Sequence, residues 1–375
     1  MKNRLRIISV IIFLSGGLQT LHAQLNPANL THYTEMDGNN IFDVLADQFG
    51  NIWMTTHNGL VRFDGYEFTR YYNDPNDQGS ISIILVNSLF EDSRGRIWIG
   101  GMNEINVFDP KTNAFRAFPF GHLTGITESG QPAVVTITED QSGRLYFGAH
   151  SYYGFDLTNS LFSFDEYTET IQIVKSAGIQ SVSNITDSST DPAGNSWFIG
   201  RNGIQRINRE GTLQPIAPLP GVDLTGNMGD GYVVASDQNG DIWMASHLSN
   251  IHVYDSGNEH FTKLDVSGIP EVNNRDIGIS EIHFDEQNTP WLATSVGLIG
   301  YSRDSGQWIT FADGPVNRFD ETFVFSLDSD TFGNIWLGTW QHGLIKYENK
   351  LIFNAYKEGD GIDGKLTGGW AYRIV

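Results

Sequence analysis

Seven positions along this chain, each four residues beyond an aromatic that opens a strand-like segment, carry His57, Met102, His150, Arg201, His247, Ser295 and Trp340. Asn202 adjoins the fourth of them. Imidazole, guanidinium, amide and indole groups at one recurring slot suit recognition of a polar, ring-bearing solute. Apolar ring faces stack on aromatics, and hydroxyls need directional donors and acceptors. The alternative is that these are ordinary solvated turn residues, which vary freely. His57, His150 and His247 fall in alternate repeats and raise a metal site. A metal needs its ligand atoms about 2.0–2.2 Å from one point, and slots spread around a ring do not offer that. No H-x-H or H-E-x-x-H run occurs, so neither a metal nor a cofactor is expected. Glycoside hydrolysis needs two positioned carboxylates, and no pair stands out among the many here. No nucleophile elbow, phosphate loop or dinucleotide fingerprint is present in a suitable context. The expected catalytic set is empty, and the chemistry is binding.

The slot is counted from a heptapeptide, Asp-x-x-Gly-x-x-Trp, that recurs seven times. Its ends are Asp47 and Trp53, Asp92 and Trp98, Asp140 and Tyr146, Asp191 and Trp197, Asp237 and Trp243, Asp285 and Trp291, Asp330 and Trp336. The Asp never varies, the Gly is replaced once by Asn288, and the aromatic is once a Tyr. The aromatics are 45 to 51 residues apart, a period that marks a repeat architecture. These residues read as structural. The carboxylate can accept turn N–H groups, the Gly supplies positive φ, and the Trp wedges between neighbouring repeats. The turns lack the dense oxygen-ligand spacing of a calcium loop, and the Asp stands one residue farther from the Trp than in the sialidase Asp-box.

The first repeat shows the grammar. IFDVLAD alternates apolar and polar residues, QFGN turns, and IWMTT is rich in β-formers. HNG turns again, LVRFD makes a third strand and GYEFTRYY a fourth. Four short antiparallel strands make one propeller blade. The fold class is therefore all-β, a seven-bladed β-propeller of four-stranded antiparallel blades over about residues 24–356, with no amphipathic helix. LTHY (Leu30 to Tyr33) resembles the fourth-strand segments FTRY and FNAY, and so could close the ring from the N-terminus and remove exposed sheet edges. FNAY gives the last repeat a fourth strand of its own, which leaves an open or differently closed ring as the alternative.

The ends and the charge set the setting. Residues 1–23 combine Lys2, Arg4 and Arg6 with the apolar run IISVIIFLSGG and end in LHA at Ala23. They read as a secretory signal peptide, too short in its apolar run for a membrane span. The expected location is periplasmic or extracellular, with no membrane span after cleavage. There is no Cys, so no disulfide scaffold. Lys and Arg number 23 against 44 Asp and Glu, a formal net charge of −21 that repels phosphate backbones and argues against nucleic acid. Residues 357–375 read as the start of an eighth repeat or as a closing strand.

The units IFDVLADQFGNIWMTTHNGLVRFDGYEF and VFSLDSDTFGNIWLGTWQHGLIKYENKLIF resemble the two-component regulator propeller repeat. The markers are D-x-x-G-x-I-W, then G-T or T-T, then G-L, then an aromatic and Asp. The resemblance covers nearly all of the chain after residue 23. It implies a seven-bladed propeller in the exported part of a sensor, commonly a hybrid histidine kinase of Bacteroidetes-type bacteria. It further implies oligosaccharide ligands, and a homodimer where the chain belongs to a sensor kinase. The family fixes no universal ligand residues, so none are carried over. Repeats three to six are degenerate, and no second propeller, membrane helix or kinase motif follows within Val375. The leading expectation is an exported, non-enzymatic, ligand-binding sensor propeller of a two-component system. The alternatives are a propeller lyase resembling virginiamycin B lyase, with His247 or His342 as base, and a protein-interaction platform.

Overall fold

A computed structural model describes residues 24–25, 29–36, 38–83, 85–124, 132–151, 157, 159–175, 182–201, 203–216, 231–267, 269, 277–303, 305–311 and 322–348. They form seven β-sheets, one per heptapeptide. Six sheets have four strands, and the sixth blade has a fifth. Helical turns among the described residues are single 3-10 turns. The inner strands are Ile41–Ala46, Val86–Glu91, Pro132–Glu139, Ile185–Thr190, Val233–Ser236, Ile279–Phe284 and Val324–Ser329. Each packs against the next, and the last packs against the first, so the ring is closed.

Closure comes from the N-terminus. The strand Leu30–Tyr33 pairs antiparallel with Leu344–Glu348 and serves as the outer strand of blade seven. The alternative fourth strand at 353–356 lies outside the described residues, as do the signal segment, the tail 357–375 and Asn202. Just upstream, Gln24–Leu25 pairs in parallel with Gln307–Phe311 on the outer edge of blade six.

The core is a set of aromatic wedges between sheets. Trp53 of blade one packs with Ile97, Ile99 and Phe108 of blade two. Trp98 of blade two packs with Phe147, Phe162 and Phe164 of blade three. Trp336 of blade seven packs with Ile41, Met54 and Phe63 of blade one. Each buried wedge contributes on the order of 3 kcal/mol. In blades one, two and four a cation lies over its face: Arg62 on Trp53, Arg96 on Trp98 and Arg206 on Trp197.

The heptapeptide does more than close a turn. Asp47 Oδ1 accepts the N–H groups of Phe49 (3.0 Å) and Asn51 (2.8 Å), while Oδ2 accepts the Trp53 indole N–H at 2.8 Å. The same indole bond measures 2.8 Å at Asp92, 2.9 Å at Asp191, 2.9 Å at Asp285 and 2.8 Å at Asp330. Tyr146 substitutes its hydroxyl, 3.3 Å from Asp140 Oδ2. A six-residue spacing thus locks the wedge to the turn. Blade five departs: the Arg303 guanidinium of blade six takes Asp237 Oδ2 and stacks over Trp243 at 5.2 Å. Trp243 Nε1 is then buried without a bond. Asn288 fills the missing glycine by adopting φ 61°, which Asn tolerates better than other side chains.

Candidate functional site

The inner strand begins at one rim of the channel, and the second strand of each blade returns to that rim. Ile41 lies opposite Thr56, and Val324 opposite Thr339. The slot four residues past the Trp therefore sits beside the first residues of the inner strand, on the face away from the Asp-Gly turns.

At the junction of blades seven and one, that rim carries a run of rings. His57 meets Phe42 edge-on at 4.6 Å, Phe42 lies 5.4 Å from Phe325, and Phe325 lies 5.6 Å from Trp340. Phe323 backs Phe325 at 4.7 Å. Trp340 is 46 % exposed, unusual for an indole with nothing of the ring architecture to hold. Polar groups border the rings. Asn40 Nδ2 lies 3.2 Å from His57 Nε2, and Gln341 N–H donates to Asn40 Oδ1 at 3.0 Å. Gln341 adopts φ 67°, which turns the chain sharply after Trp340. The arrangement offers apolar faces for stacking with donors and acceptors at their edge, the requirements of a sugar-like ring.

Of the slots expected from sequence, the structure brings His57 and Trp340 into this one wall. The others are spread round the rim. Met102 bridges to Ala133 of the next blade. His150 is not in a turn, because the strand Leu145–Ser151 runs through it and pairs it with Ala133. Burial there pulls its pKa down to about 4. Arg201 N–H donates to Ser183 O at 3.0 Å, and Ser295 N–H to Gly278 O at 3.0 Å. His247 precedes the single turn Leu248–Asn250, with Nδ1 at 3.1 Å from Ser246 Oγ. His342, the other base considered, packs edge-on against His32 at 6.5 Å. Among the described residues no three His, Asp or Glu side chains converge closely enough to hold a metal ion.

Below the rings is a cavity of ≈ 300 Å³, lined by Phe42, Phe325 and the inner strands of the blades. A β-bulge interrupts six of the seven inner strands. The residues just past the bulges are Asp43, Ser88, Thr136, Asp187, Glu281 and Ser326. They stitch blade to blade. Leu89 N–H donates to Asp43 Oδ2 (2.6 Å), Val234 N–H to Asp187 Oδ2 (2.8 Å) and Leu327 N–H to Glu281 Oε2 (2.8 Å). Ser326 Oγ accepts Val44 N–H at 3.0 Å and donates to Asp43 Oδ1 at 2.9 Å. One step further along, Ala46 N–H donates to Asp328 Oδ2 at 2.8 Å. Sequence reading missed both these acids and Phe42 and Phe325. Aligning the inner strands as IFD, VNS, VVT, ITD, ISE and VFS shows the signal, a third position that is always polar.

Burial raises the pKa of Asp43 and Asp187 to about 7, and raises Glu281 well above the carboxylate range and Asp328 upward. Each acid is bound by backbone N–H donors of a neighbouring blade, so the ring uses them as clamps. An acid with a raised folded pKa stabilises the fold fully below its unfolded value, and that contribution is lost as pH rises through about 7. Asp187→Asn should therefore gain on the order of 2–3 kcal/mol on the wild type between pH 5 and pH 8, because about two pK units of the rise lie above pH 5. Urea unfolding at the two pH values checks this. His150 acts oppositely, its contribution present above 6.5 and lost as pH falls toward about 4, and it cancels in the comparison because both proteins carry it.

The fold is a closed seven-bladed propeller of antiparallel blades. Residues 80–103 match the two component regulator propeller family. Histidine kinase P4 of Formosa agariphila is 35% identical over 79 residues, 20% of this chain and 6% of the kinase. The extracellular domain of a putative hybrid two component system from B. thetaiotaomicron superposes with a TM-score of 0.62 at 16% identity. That match covers 88% of this chain and 39% of the neighbour. Virginiamycin B lyase from Staphylococcus aureus superposes with a TM-score of 0.61 at 15% identity, covering 84% of this chain and 98% of the lyase. At these identities the structural likenesses show the fold. The propeller resembles extracellular domains of putative hybrid two component systems, and it spans under half of such a neighbour. No helix among the described residues is long and apolar enough to cross a membrane.

Proposed function

We propose that this chain is the ligand-binding input propeller of an exported two-component signalling protein, and that it takes a sugar-like solute, an oligosaccharide, at the rim between blades seven and one. It would act by binding and not by turnover, on the outer side of a membrane. The observation that carries the reading is the ring wall His57–Phe42–Phe325–Trp340, with Trp340 half-exposed. The ring is held together by its wedges and clamps, and none of them is Trp340. The similarity to extracellular domains of hybrid two-component systems supports the signalling context. The acidic chain and the carboxylate-lined cavity favour neutral ligands over polyanions.

The test is a thermal-shift screen against neutral tetrasaccharides such as xylotetraose, cellotetraose and mannotetraose, followed by calorimetry. Trp340→Ala should weaken binding by roughly ten- to a hundredfold, about 1.4–2.8 kcal/mol, without lowering the unliganded melting temperature. A screen that gives no shift, or a Trp340→Ala protein that binds as well as the wild type, removes the reading. A lyase is the second reading, favoured by a fold shared over nearly the whole lyase chain. Consumption of a cyclic depsipeptide antibiotic, abolished by a chelator, would establish it.

A further inference from the structure

The ring wall is assembled from both ends of the chain. Phe323, Phe325 and Trp340 belong to the last blade, and Phe42 and His57 to the first. Between them passes the segment that leads from the ring-closing strand Leu30–Tyr33 into blade one. Gly38 N–H on this segment donates to Gln341 O at 2.8 Å. Asn40 then reaches both ways: its Oδ1 accepts Gln341 N–H at 3.0 Å, and its Nδ2 meets His57 Nε2 at 3.2 Å. Gly343 packs against Met36 on the same segment, so closely that a Cβ there would collide with the Met36 backbone. If Leu30–Tyr33 leaves Leu344–Glu348, the segment loses its anchor and the two halves of the wall lose their register.

We infer that Asn40 is a positioning residue that spans the seam, and that occupancy of the rim site and closure of the ring by Leu30–Tyr33 are one linked equilibrium. The inference rests on the rim reading above and adds its regulation. A ligand that fits only the closed ring stabilises it by mass action, and by reciprocity closure raises affinity. The closing strand is the element to respond. It is an outer strand with a single neighbour, and Thr31 and His32 are exposed, so it belongs to the part of the fold that opens first.

Hydrogen–deuterium exchange on the full chain tests this, with xylotetraose as probe and calorimetry to establish that it binds. With xylotetraose at a hundredfold excess over Kd, exchange at Leu30–Tyr33 should slow by about a hundredfold. Asn40→Ala should abolish that protection and weaken binding, while Asn40→Asp, which keeps the acceptor for Gln341, should restore part of both. Binding that leaves exchange at Leu30–Tyr33 unchanged overturns the linkage and leaves the rim site standing. If xylotetraose does not bind, the ligand-free proteins decide. Asn40→Ala must raise exchange at Leu30–Tyr33 and at Gln341 together, and a change at Gln341 alone overturns the proposal.

Discussion

Asp191→Ala should lower the folding stability of the ring by about 3–4 kcal/mol, read from the urea midpoint at constant slope. Asp191 is buried, and its Oδ2 accepts both the Asn195 amide and the Trp197 indole, while its Oδ1 accepts Asn195 N–H. Alanine leaves the indole N–H of Trp197, itself fully buried, without an acceptor, and each such orphan costs about 1–3 kcal/mol. The turn loses its own bond as well. Asp191→Asn should cost less, because it keeps one acceptor. A loss under about 1 kcal/mol for the alanine variant would show that the turn does not hold the wedge, since a cap bond alone is worth about that much.

Removing residues up to and including Tyr33 should cost more than about 4 kcal/mol and make the protein self-associate in light scattering. The truncation exposes the edge of Leu344–Glu348, a ready template for another chain. It also removes Tyr33, which stacks on Trp336 at 5.5 Å and meets Phe63 at 4.9 Å. Tyr33→Ala, which keeps the strand, should cost about 2 kcal/mol. A truncated protein that stays monomeric with wild-type stability would mean that blade seven is completed by another strand.

The scaffold was legible because repetition wrote it seven times. An Asp, a Gly and a Trp at fixed spacing specify a turn, a positive φ and a wedge. The one repeat without Gly keeps the same turn through Asn288 at φ 61°. The closing strand was legible too, because LTHY shares the pattern of outer strands. The indole bond to Asp was not read, although its six-residue spacing is constant, because no sequence pattern says which atoms meet across a turn. Blade five broke even that rule, since Arg303 arrives from another blade. The site was legible only in outline. The slots at His57 and Trp340 do sit at the rim, but their meeting depends on ring closure. The bulge residues Phe42 and Phe325 that join them lie on the inner strands, where apolar residues read as core. His150 shows the limit of counting from a landmark, because a longer strand absorbed the slot. The lumen acids hid among 44 carboxylates until the bulges placed them on one surface.

The proposed solute binds against Trp340. The most direct test is the indole N–H region of the ¹⁵N–¹H spectrum during titration with the tetrasaccharide that gives the largest thermal shift. The Trp340 indole signal should move with saturation, while those of Trp53, Trp98 and Trp197, buried as wedges, stay in place. A saturating ligand that leaves Trp340 unmoved, or that shifts residues only on the Asp-Gly face, would contradict that placement.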